Sequence, residues 1–97
     1  MAKKLLIDIA AEKYGKLIED GVYRVYEDEI EEILERLQSG KELFEGEWRD
    51  LSYAFFEKIY KDFSEDVFKE AIRLKRKNKE SAKDSALALI KLYKENR

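Results

Sequence analysis

Not one proline stands in these 97 residues, and only four glycines do. Proline removes a helical hydrogen bond and clashes with the preceding turn, while glycine carries backbone entropy that a helix must take away. A chain nearly free of both favours long helices joined by short turns. Its apolar residues recur at helical spacing along most of the length, so an all-α fold of four to five helices is expected. At this length the chain reads as one domain, residues 1–97, with no room for a second core.

The stripe Ile7, Ala10, Ala11, Tyr14, Leu17 and Ile18 predicts a first helix over 5–20, closed by Gly21 in a left-handed cap. Val22, Tyr26, Ile30, Ile33, Leu34 and Leu37 predict a second over 22–38, ended by Gly40. Its first residues are rich in Val and Tyr and would also suit a short extended piece. Residues 41–46 read as a loop. Trp48, Leu51, Phe55 and Ile59 mark a third helix over about 47–62, and Tyr53, Phe56 and Tyr60 give it a second apolar stripe. That double stripe fits either a central helix packed on both sides or a subunit interface. Ser64 and Ser81 are good N-caps for helices over 65–77 and about 81–95.

Several chemistries are excluded by composition. There is no cysteine, hence no disulfide, thiolate nucleophile or thiolate metal site. There is no histidine either, so any catalysis must come from carboxylates, Lys, Arg, Tyr or a hard metal ion. Charged residues reach 43%, a thermophile-like composition. No apolar run approaches membrane-spanning length. Residues 1–8 interrupt their apolar stretch with Asp8 and lack a signal-peptide core, so a cytoplasmic location is expected.

The net charge of −2 conceals a division. Residues 27–35 hold six acids and no base: Glu27, Asp28, Glu29, Glu31, Glu32 and Glu35. Residues 69–83 hold seven bases: Lys69, Arg73, Lys75, Arg76, Lys77, Lys79 and Lys83. Within the acidic block Glu32 and Glu35 are one helical turn apart, as are Glu47 and Asp50 on the next helix. Residues at i and i+3 share a helix face, so each pair can present oxygens to one hard cation, and two packed helices can present four. A solvated acidic face would have the same spacing.

More than the four carboxylates carries a resemblance. The chain has Glu31-Glu32-x-x-Glu35, eleven residues, then Glu47-x-x-Asp50. This resembles the paired motifs of the all-α nucleotide pyrophosphohydrolases, the MazG-like superfamily. Tyr14-Gly15-Lys16-Leu17, then Asp20-Gly21, then Asp50-Leu51-Ser52-Tyr53 and Ser64-Glu65-Asp66-Val67 are similar to motifs of one branch, the phosphoribosyl-ATP pyrophosphohydrolases. The likeness spans residues 14–77, and residues 80–97 form an extra C-terminal helix. Glu27 and Asp28 stand where that branch has a basic pair, and Ala54 where it has histidine.

The resemblance implies a helical bundle of the all-α pyrophosphatase type, completed by dimerisation. It implies Mg²⁺ or Mn²⁺ held by Glu32, Glu35, Glu47 and Asp50, with Glu31 and Glu32 as catalytic groups. Water would attack the α-phosphorus of a nucleotide and release pyrophosphate. Lys16 matches a family lysine, and Lys16, Arg73, Lys75 and Lys77 are the candidate phosphate contacts. Two other readings stay open. One is a helical interaction protein without chemistry, docking through Trp48, Tyr53, Phe56 and Tyr60. The weaker is a nucleic-acid binder using the basic 69–83 region and the helix after it as a helix-turn-helix, which the acidic whole chain disfavours.

Overall fold

The computed structural model describes residues 5–97, and residues 1–4 of the signal-peptide reading lie outside them. The described residues form α1 (Leu6–Glu19), α2 (Glu27–Gln38), α3 (Glu45–Asp62), α4 (Glu65–Lys77) and α5 (Ala82–Glu95). None of these helices is long and apolar enough to cross a membrane.

The turns follow the expected chemistry. Gly21 and Gly40 have φ of 82° and 75°. After α1, the Gly21 N–H donates to the Ile18 carbonyl and Val22 to Leu17; after α2, Gly40 donates to Leu37 and Lys41 to Arg36. Each glycine therefore closes its helix in a Schellman motif, a left-handed position that a side chain would strain. Ser64 Oγ accepts from the Val67 N–H at 3.4 Å and Ser81 Oγ from the Asp84 N–H at 3.1 Å, capping α4 and α5.

Helix α2 differs from expectation. It begins at Glu27, five residues later than its apolar spacing suggested, and residues 22–26 are neither helix nor strand. The cause is tertiary. Tyr23 turns inward and is buried, with its ring edge-on to Tyr53 at 5.2 Å and to Phe56 at 5.4 Å between centroids. Continuing the helix back through Tyr23 would forfeit those contacts.

Helix α3 is the centre of the molecule. It packs most extensively on α5, and also on α4 and α2, while α1 rests mainly on α4. Its first stripe, Trp48, Leu51, Phe55 and Ile59, is buried. Phe56 of the second stripe is fully buried among Tyr14, Tyr23 and Phe68. Thus the double stripe is filled from within the chain, the first of the two expected arrangements. Two polar contacts fix the packing: the buried hydroxyls of Ser52 and Ser85 meet at 2.9 Å between α3 and α5, and Lys69 of α4 pairs with Asp8 of α1 at 2.5 Å.

Candidate functional site

The acidic pairs lie on α2 and at the start of α3, but they do not form a cage. Among the described residues no group of three or more Asp and Glu side chains is placed to hold a metal ion. Glu32 and Glu35 share a face of α2 and are exposed to solvent. Asp50 is half-buried on α3.

Glu47 has a structural occupation. It is the third residue of α3, and its Oε1 accepts the Phe44 N–H at 2.9 Å, one half of a capping box. Its Oε2 pairs with the guanidinium of Arg36 on α2. Both oxygens are thereby engaged, Oε1 in capping the start of α3 and Oε2 in tying it to α2. The donor set implied for Mg²⁺ does not fit this arrangement, because one ligand is spent on the fold and two others face bulk water.

The candidate phosphate contacts are dispersed. Lys16 lines a depression of about 620 Å³ between α1 and the α3–α4 corner. Arg73 is exposed beside Glu70 at 3.4 Å, and Lys77 flanks the α4–α5 edge. Lys75 sits over the rings of Tyr23, Tyr53 and Phe56 at 5.5–5.8 Å, a cation–π arrangement. Lys75 also lines a hollow with Arg49 and Lys79, away from Glu32 and Glu35. The four cations do not converge on one point facing the carboxylates.

The aromatic docking surface expected from Trp48, Tyr53, Phe56 and Tyr60 is also differently used. Trp48 and Phe56 are buried. Tyr53 packs on Tyr23, and Tyr60 packs on Phe68 while its hydroxyl donates to Glu19 at 2.7 Å. Of the bases in the expected recognition helix, Lys83 lies over Trp48 and Lys91 faces Glu95.

What the structure adds is a groove along α2. Its first part, about 410 Å³, runs between α2 and α3 over Val25, Ile30, Leu34 and Ala54, edged by the acids Glu27, Glu31, Glu57 and Asp62 and by Lys58 and Lys61. Its second part, about 420 Å³, continues over Leu37, Phe55, Ile90 and Tyr93, edged by Lys58, Lys94 and Arg97. Leu34 and Lys58 line both parts, so the two hollows adjoin along α2. The groove exists because α2 touches α3 along a narrow seam, leaving Leu34 and Leu37 only half-covered. Periodicity assigns those leucines to an apolar stripe without telling a filled core from an open trough.

No protein-family model, no curated protein and no solved structure matches this chain.

Proposed function

We propose that this chain is a non-catalytic helical interaction module that docks a partner along the groove between α2 and the α3–α5 pair. The observation that carries this reading is the pair of adjoining hollows along α2, floored by apolar side chains from Val25 through Leu34 to Tyr93 and edged by charge. A trough of this kind accepts an apolar stripe from another segment, the helix-in-groove mode of recognition. Each large apolar side chain that it covers contributes about 1.5–3 kcal/mol. Polar edges supply direction and selectivity more than affinity.

The test sets this reading against the Mg²⁺-dependent pyrophosphohydrolase that the motifs around Glu32, Glu35, Glu47 and Asp50 suggest. An interaction module releases no pyrophosphate across a nucleotide panel with Mg²⁺ or Mn²⁺. Its melting temperature does not rise with millimolar Mg²⁺. At concentrations low enough to keep the chain monomeric, it should bind the apolar dye ANS at neutral pH, and Leu34→Gln should reduce that binding. Pyrophosphate release accompanied by Mg²⁺-dependent stabilisation would replace the proposal with the enzyme.

A further inference from the structure

The same chain carries a surface that matches this groove. On α1, Leu6, Ile9, Lys13 and Lys16 follow at i, i+3, i+7 and i+10, one continuous helical face. Leu6 is 82% exposed and Ile9 49%, so the described residues leave the apolar half of that face uncovered. Lys13 and Lys16, its basic half, are exposed and make no ion pair among the described residues. The opposite face of α1 is already used, with Ala10, Ala11, Gly15 and Ile18 buried.

The groove has the complementary order. Glu27, Glu31 and Asp62 edge one end, where Lys61 is paired with Glu57 and Lys58 is the remaining base, and Leu34, Leu37 and Phe55 floor the other. Ten residues of helix separate Leu6 from Lys16, and ten separate Glu27 from Leu37, about 15 Å in each case. We infer that two copies of this chain pair reciprocally, each laying the exposed face of α1 antiparallel into the α2 groove of the other. This rests on the groove being a docking surface, as proposed above, and names its occupant.

In that arrangement Lys13 and Lys16 meet Glu27, Glu31 and Asp62 of the second copy. Leu6 and Ile9 cover Leu34 and Leu37, flanked by the aliphatic stems of Lys58 and Lys94 with their ammonium groups in water. Exchange of the same two surfaces in both directions closes a two-fold pair, with knob and groove each used once per chain.

Sedimentation equilibrium on the full chain, over a micromolar concentration series at low and moderate salt, tests the pairing. The expected result is a monomer–dimer equilibrium that weakens as salt rises. Ile9→Glu and, separately, Lys13→Glu with Lys16→Glu should each weaken dimerisation at least tenfold while circular dichroism stays helical. Adding Glu27→Lys and Glu31→Lys to the double lysine variant should restore the dimer by reversing both signs. A monomer at every concentration, a dimer indifferent to all these substitutions, or growth past two copies would overturn the inference. A monomer that still binds ANS through Leu34 would overturn the pairing alone and leave the groove reading standing.

Discussion

Gly15 on α1 lies against Tyr60 on α3 so closely that a Cβ added to the glycine would sit 2.9 Å from the ring's Cε1 and 3.2 Å from its hydroxyl oxygen. The ring is not free to give way. It packs on Phe68 at 4.8 Å, and its hydroxyl is held by Glu19.

Gly15→Ala therefore sets two effects against each other. Alanine raises helix propensity by about 1 kcal/mol, and forcing a methyl into filled space costs about 1–3 kcal/mol. The expected net effect is a loss of about 1 kcal/mol, or about 4–8 °C in melting temperature for a domain of this size. In a Tyr60→Ala background the obstruction is gone, and the same Gly15→Ala change should become stabilising. Thermal melts of the four proteins in this cycle check the reversal.

Glu47 and the other candidate metal ligands should separate in stability measurements. Glu47→Ala removes the acceptor for the Phe44 N–H and leaves Arg36, whose Nε is already buried without a partner, short of its carboxylate. A loss of about 1–3 kcal/mol is expected. Glu32→Gln and Glu35→Gln, both at exposed positions, should stay within about 0.5 kcal/mol of the parent. Urea unfolding with and without Mg²⁺ would read both outcomes.

The hydroxyls of Ser52 and Ser85 should be strongly non-additive. Removing one, as in Ser52→Ala, strands the other in the core and costs about 1–2 kcal/mol. Ser52→Ala with Ser85→Ala removes donor and acceptor together, so the double variant should be more stable than the sum of the singles by about 1 kcal/mol.

Alkaline pH should unfold the domain through its tyrosines and one lysine. Burial, with help from Tyr14 and Tyr53, raises the Tyr23 pKa. The hydrogen bond to Glu19 raises that of Tyr60, and burial, then the bond to Asp62, raises that of Tyr93. Asp8 raises that of Lys69. A proton held more tightly in the folded chain stabilises it fully below the unfolded pKa and ceases to do so as pH passes the folded one. Melting temperature should accordingly be level to about pH 9 and fall above about pH 10. The fall should be shallower in Tyr60→Phe with Tyr93→Phe.

Much of the helical framework is legible in the sequence alone. Helix α4 falls on residues 65–77 as its Ser64 cap and apolar spacing indicated, and α1, α3 and α5 lie within one or two residues of their expected bounds. These are local signals, written in caps and glycine stops. The start of α2 was not legible, because Tyr23 is drawn out of helical register by partners thirty residues away. The surroundings of the candidate site were hidden for a related reason. Helical spacing places Glu47 and Asp50 on one side of α3, but it does not reveal that Glu47 is the third residue of that helix and faces Arg36. The groove stayed hidden because an apolar stripe reads alike whether its neighbour covers all or half of it.

Lys75 of α4 holds the segment before α2 through the Tyr23 ring and α3 through those of Tyr53 and Phe56, with no counter-charge among the described residues. Dissolved ions screen the Lys69–Asp8 pair, but they have little purchase on attraction to a ring quadrupole at close range. In brine, then, the ionic link between the first and fourth helices should fade while this aromatic clasp keeps its hold, so ionic strength selects which of the two contacts persists.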